Sequence, residues 1–188
     1  MKVTKTALIS VTNKTKLLSI LKILKKYKIK IISSGGTFKK INQLGFKSEE
    51  VSKLTGFPEI LGGRVKTLHP KIHGGILSKR NNKIHNANLK LNNIRKIDIV
   101  IVNFYPFEKT LNETKDKKKI LENIDIGGPA MARAAAKNYN DVVIITGVNQ
   151  YEEFILNMKK NNGSTSLNFR EKMAKEAFLE TGYYDTKI

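Results

Sequence analysis

"IKIISSGGTFKK", residues 29–40, holds the reading that decides the fold. Ile29 to Ser33 form a short apolar run ended by a turn signal, which predicts a buried strand. Gly35 and Gly36 make a tight turn. Thr37 to Leu44 then read as a short helix, closed by Gly45. A strand that passes through paired glycines into a helix belongs to layered α/β proteins. The glycines let backbone N–H groups approach an anion, and the helix start adds its dipole and unpaired donors. Ser34 and Thr37 contribute hydroxyls. The turn therefore suits a phosphate monoester, and the competing reading is a plain strand-to-helix turn capped by Thr37. It is neither a dinucleotide fingerprint nor a P-loop, because the glycine and lysine spacings of both are missing.

The same alternation extends in both directions. Residues 5–11, "KTALISV", predict a strand, with Thr12 and Asn13 as caps for a helix over 14–28 whose apolar face carries Leu17, Leu21, Leu24 and Tyr27. "FKSEEVS" reads as a short extended piece, and 79–96 as a weak helix. "IDIVIVNFYP", 97–106, is the strongest strand, and "KKKILENI" is helical. "GGPAMARAAAKN" predicts a helix with Pro129 near its first position. "DVVIIT", 141–146, is the last strand. Asn149 with Glu152 looks like a capping box for a helix to Lys160, and a final helix covers roughly 166–181. Strands alternating with helices predict a layered α/β/α domain with a mainly parallel central sheet over residues 1–188. Ligands of such sheets sit beyond the C-terminal ends of the strands.

The 188 residues fit one domain. Cysteine is absent, which excludes disulfides and Cys-ligated zinc. No apolar run is long enough for a membrane span, and "MKVTKTALISVTNKTK" has too short an apolar core for a signal peptide, so a cytoplasmic setting is expected. The formal net charge is +19, from 35 Lys and Arg against 16 Asp and Glu. Lysines dominate and are spread along the chain together with Asn and Ile, a pattern that A- and T-rich codons produce. Nucleic-acid binding is therefore not expected. A basic surface still attracts an anionic metabolite.

Three further stretches carry candidate chemistry. In "GGRVKTLHPKIHGG", 62–75, Arg64 and Lys66 alternate and so point to one side of an extended chain, with Thr67 next. Arg grips a carboxylate or phosphate at two points, whereas Lys acts as a point charge. Zinc at His69 and His73 lacks an acidic third ligand, and Pro70 argues against one continuous helix, so no metal is expected. In "VNFYPF", Asn103 offers directional hydrogen bonds, and Phe104 and Tyr105 offer a flat face, or else serve the core. In "IDIGGPAMARAAAKN", Asp125 precedes a glycine pair and a helix start, and Lys137 lies later on that helix. Such a set suits positioning, charge stabilisation and proton transfer.

"SVTNKT", "SSGGT", "LTGFPEILGGRVKTLHPKIHGGIL", "VNFYPF" and "IDIGGPAMARAAAKN" recur in this order. The chain closely resembles the IMP cyclohydrolase domain of bifunctional purine biosynthesis proteins, over nearly all its length. The resemblance implies a methylglyoxal-synthase-like fold and a ring closure. In that reaction the carboxamide nitrogen of a formamido phosphoribosyl imidazole carboxamide attacks the formyl carbon, water leaves and IMP forms, without metal or organic cofactor. It places the phosphate near Thr12, Asn13 and Lys14 and at Ser34, Gly35, Gly36 and Thr37. Arg64, Val65, Lys66, Thr67, Asn103 and Phe104 contact the nucleotide, and Asp125 and Ile126 lie by the base. The resemblance makes Lys137 the proton donor or acceptor and puts Tyr105 in the lining of the site; with them, Lys66 is expected to stabilise an oxyanion and Asp125 to assist proton transfer in catalysis. An ion pair in which Asp125 orients Lys137 is expected. The resemblance also implies a homodimer and a formyltransferase domain outside these 188 residues. The same fold serves as a nucleotide-binding effector module in carbamoyl phosphate synthetase, which lacks the "GGRVKTLHP" and "RAAAKN" pair. Methylglyoxal synthase shares the glycine turn but needs a catalytic Asp elsewhere.

Overall fold

The computed structural model describes residues 4–188; the first three residues of the N-terminal stretch read above lie outside it. Five strands form one sheet, β1 (Thr6–Val11), β2 (Lys30–Ser33), β3 (Glu49–Glu50), β4 (Ile99–Asn103) and β5 (Val143–Ile145), in the order β3-β2-β1-β4-β5. Every pairing is parallel, with Ile9 beside Ser33 and Val11 beside Asn103. Both faces are covered, so the strands read as continuous apolar runs: Ala7, Leu8, Ile9, Val100 and Ile101 are all buried. The expected α/β/α architecture with a parallel sheet is present.

Helices α1 (Leu17–Lys26) and α2 (Gly35–Gln43) link β1, β2 and β3. Helices α3 (Val51–Thr55), α4 (Pro70–Leu77) and α5 (Lys83–Leu91) lead to β4. Helices α6 (Phe107–Glu113), α7 (Lys117–Glu122) and α8 (Gly127–Lys137) lead to β5, and α9 (Tyr151–Lys160) and α10 (Leu167–Lys187) complete the chain. Helix α1 packs against α9, and α8 packs against α4 and α10. The run of alanines in "MARAAAK" makes that second contact close: Ala132, Ala135 and Ala136 are buried where α8 meets its neighbours.

Several boundaries differ from the sequence reading, each for a local reason. No helix runs through Pro70, since His69 before it is extended; the proline instead starts α4, a helix the sequence reading did not place, and His69 caps it by accepting the Lys71 N–H at Nδ1. The two glycines of "SSGGT" form the first turn of α2, with Ser34 as N-cap, so Thr37 is not the cap. β4 spans only 99–103 because its backbone pairing with β1 runs from Ala7 beside Ile99 to Val11 beside Asn103, where β1 ends. The last strand ends early because the Gln150 amide oxygen takes the N–H groups of Thr146 and Gly147, at 2.8 and 3.1 Å. Gln150, not Asn149, thus organises the start of α9. α10 runs on to Lys187 because Tyr184 is buried against Phe104 and Phe107.

Candidate functional site

The strand order reverses direction between β1 and β4, which is where open parallel sheets bind ligands. The loops leaving these two strands are clamped together there. The Asn103 amide oxygen accepts the N–H groups of Thr12 and Asn13 at 2.7 and 2.9 Å, and its Nδ2 donates to the Asn13 carbonyl at 3.1 Å. The Asn103 amide oxygen is therefore occupied in holding the β1–α1 loop, although the residue still lines the cleft.

That cleft has a volume of about 530 Å³, and its walls include Lys66, Thr67, Tyr105, Asp125, Ile126 and Gly127. The glycine turn flanks it. Gly35 has φ 51°, a left-handed conformation that a side chain would strain. A Cβ at Gly35 would stand 3.7 Å from Lys66 Nζ, and one at Gly36 would stand 4.0 Å from Lys14 Nζ. Two ammonium groups thus face the start of α2, whose first turn has no acidic residue and no side-chain cap. Its first N–H groups have no partner within the helix. The Thr37 hydroxyl is not free for a ligand: it accepts from Val11 N–H at 3.0 Å and donates to the Val11 carbonyl at 2.9 Å. Thr37 fixes the turn, which leaves Lys14 and the backbone N–H groups as the donors that face outward there.

Lys66 is the central cation. Glu59 holds its Nζ at 3.4 Å, and its charge is felt by Asp125. Asp125 accepts the Gly128 N–H at 2.8 Å, which fixes its carboxylate at the start of α8. Burial raises the Asp125 carboxyl above the usual carboxylate range; backbone N–H groups of Gly128 and Tyr105 and the charge of Lys66 oppose that rise without cancelling it. The Thr67 side chain is buried beside Gly127, where an added Cβ would lie 2.8 Å from its hydroxyl oxygen.

Other expected residues are placed differently. Arg64 lies at the mouth of the cleft, exposed and paired with Glu122. Val65 pairs with Ile60 in an isolated antiparallel bridge that shapes the loop, and it is not on the cleft wall. Phe104 offers no face to the cleft: its ring packs behind Gly128 and edge-on to Tyr184, and Tyr105 forms the wall instead. Lys137 stands at the far end of α8, ten residues past Gly127, or about 15 Å along the axis. It is exposed, is absent from the cleft wall, and makes no ion pair with Asp125, so the expected pairing is not formed. His73 Nε2 is buried without a partner, and burial lowers its pKa. Among the described residues, no three His, Asp or Glu side chains are close enough to hold a metal ion.

The sequence reading missed Glu59, Glu122 and Tyr184. Glu59 was within reach of it, as the only acid in "GFPEILGGRVK". Glu122 and Tyr184 lie 58 and 59 residues from their partners, and no local pattern connects them.

The MGS-like domain family matches residues 16–130, and the AICARFT/IMPCHase bienzyme family matches 135–188. The bifunctional purine biosynthesis protein PurH of Bradyrhizobium diazoefficiens is 46% identical over 182 residues, 97% of this chain and 34% of that protein. PurH of Persephonella marina is 50% identical over 182 residues, 97% of this chain and 35% of that one. The chain therefore spans about a third of the length of these curated relatives. The crystal structure of ForH superposes with a TM-score of 0.85 at 28% identity, over 98% of this chain and 96% of that one. With more than half of its residues inside the first of these matches, and with the parallel sheet and glycine turn described above, the chain belongs to the MGS-like domain family.

Proposed function

We propose that the cleft binds a phosphorylated imidazole nucleotide and closes its second ring to IMP. The observation that carries this reading is the position of Lys66. Its Nζ lies beside the glycine turn at the start of α2, 3.7 Å from a Cβ placed at Gly35, and it shares the cleft wall with Asp125 at the start of α8. One small molecule with a phosphate at the glycine turn and a polar ring beside Asp125 would bring both ends within reach of the same cation. The PurH relatives support the same reaction.

In this scheme Lys14, Gly35, Gly36 and the backbone of Thr37 hold the phosphate, with Thr12 and Asn13 in the adjoining loop. Arg64 leaves Glu122 for the nucleotide, and Thr67 and Ile126 border the base. The carboxamide nitrogen attacks the formyl carbon, a C–N bond forms, and the formyl oxygen becomes an oxyanion. Lys66 stabilises that oxyanion, a contribution of about 3 to 4 kcal/mol for one well-placed donor in a dry site. Asp125, with its raised pKa, takes the nitrogen's proton. Asp125 passes that proton to the oxygen, the formamido nitrogen gives up the second, and the C–O bond breaks as that nitrogen forms the new C=N bond, so water leaves, with Tyr105 on the adjoining wall. No step is assigned to Lys137. The reading carries with it a cytoplasmic setting, a homodimer and a formyltransferase domain that supplies the substrate. Among the described residues no helix is long and apolar enough to cross a membrane.

The test is incubation of the protein with the formamido nucleotide while the absorbance of IMP is followed. Appearance of IMP at a rate that scales with protein supports ring closure. Tight binding of the nucleotide without product overturns it and leaves a binding module.

A further inference from the structure

Asp125 lies in the turn between α7 and α8, yet its backbone is fixed by the last helix. Tyr184 on α10 is 7% exposed, and its ring meets Phe104 edge-on at 5.2 Å and Phe107 at 6.3 Å between centroids. Its hydroxyl accepts the Asp125 N–H at 2.8 Å and lies 3.4 Å from the Asn123 carbonyl, to which it donates. The side chain of the same Asp125 accepts the Gly128 N–H at 2.8 Å. The space at Gly128 is filled by these side chains: a Cβ there would lie 2.5 Å from Asp125 Oδ2 and 3.0 Å from Phe104 Cδ1, so either would have to shift. Asp125 is thus tied at its backbone by α10 and at its carboxylate by α8.

We propose that Tyr184 is a positioning residue for Asp125: its hydroxyl locks the 123–125 turn and so sets where the carboxylate stands in the cleft. The role in turnover rests on the ring-closure reading given above. A core tyrosine with only a packing role would fill the same space between Phe104 and Phe107, so the ring and the hydroxyl have to be tested apart.

Tyr184→Phe keeps the ring and removes the hydroxyl. It should lower kcat about tenfold, the size of one hydrogen bond's loss, and leave KM within about twofold, because the phosphate grip lies elsewhere. In an Asp125→Asn background the same change should cost nothing further, since both act through one side chain. Phe107→Leu is the packing control, expected to lower Tm without lowering kcat. Hydrogen exchange gives a readout that needs no turnover: the Asp125 amide should exchange faster in Tyr184→Phe than in the wild type. Unchanged kcat, losses that add in the double variant, or unchanged exchange at Asp125 would each overturn the positioning role. If the wild type forms no IMP, the function proposed above fails, and exchange at Asp125 alone then decides whether Tyr184 locks the turn.

Discussion

Arg80 lies at the N-terminal ends of the strands and Lys66 at their C-terminal ends, and the two cations are held in opposite ways. The Arg80 side chain is almost fully buried. It donates to the carbonyls of Gly75 and Ser78 at the end of α4 and sits 3.5 Å from Asp98. Asp98 in turn accepts the Lys5 and Thr6 N–H groups that begin β1. Arg170 repeats the pattern, donating to the carbonyls of Tyr139 and Asn140 just past α8. Lys66 has one carboxylate partner, at 3.4 Å, and stays partly open to solvent. In a parallel α/β sheet, helices end where strands begin, and they begin where strands end. Free carbonyls therefore gather at one end of the sheet and free N–H groups at the other. The protein meets the carbonyls with its own buried arginines. At the other end α2 begins without an acidic residue in its first turn and without a side-chain cap, whereas the start of α8 is met by the Asp125 carboxylate, which accepts the Gly128 N–H; under the function proposed above, an anion from outside completes the start of α2.

A paired substitution separates the two ends most sharply. Arg80→Ala leaves Asp98 buried without its cation and should destabilise the fold by about 3 to 5 kcal/mol. Denaturant melts would show this, while the folded fraction retains normal turnover. Lys66→Ala should do the reverse, shifting stability by less than about 1 kcal/mol, as expected of a weak, partly exposed ion pair, and lowering kcat by about a hundredfold or more. If both variants changed stability and turnover together, the division of labour between the ends would be wrong.

Asp125→Asn tests the open end more finely. Burial raises the Asp125 carboxyl in the folded state, so the folded protein holds that proton more tightly than the unfolded chain. Its contribution to stability is full below the unfolded pKa of about 4 and is lost as pH rises through the folded value. Asparagine removes this loss and can still accept the Gly128 N–H. The variant should therefore be at least as stable as wild type at neutral pH, with the gap closing toward low pH. Its kcat should fall by about a hundredfold. A variant less stable at pH 7 than at pH 4, relative to wild type, would show that the carboxylate serves the fold instead of the reaction.

The two ends also differ in how far the sequence discloses them. Glycine pairs, capping hydroxyls and isolated charges after apolar runs are local signals, so the turn at Gly35, the Lys66 loop and Asp125 could be read directly. Their partners could not. Tyr184 reaches Asp125 across 59 residues and Arg80 donates to Ile97 across 17, through packing that no periodicity encodes. Asn103 shows a subtler limit: its residue type suits a ligand, but which acceptor and donor it serves depends on how β1 and β4 register. Pro70 marked the end of the extended stretch correctly, but the helix that starts on it depends on the His69 cap, which the sequence reading did not see.

Lys137 supplies the smallest expected effect and the sharpest remaining test of the comparison. The resemblance makes it a proton donor or acceptor and the sequence reading pairs it with Asp125, whereas α8 carries it to the closed end of the sheet. There the neighbouring Asn138 donates to the carbonyls of Ile76 and Ser78, at 2.7 and 3.1 Å. A lysine side chain cannot span the roughly 15 Å length of this helix, so within one chain Lys137 has no route to the cleft. Lys137→Ala at a protein concentration low enough to keep chains apart should change kcat by less than about twofold, the scale of an exposed surface substitution. Turnover measured against concentration makes the result decisive. A large loss confined to high concentration would mean that a second chain lends its lysine to the cleft, and a large loss at every concentration would mean that the closed end of the sheet takes part in the chemistry after all.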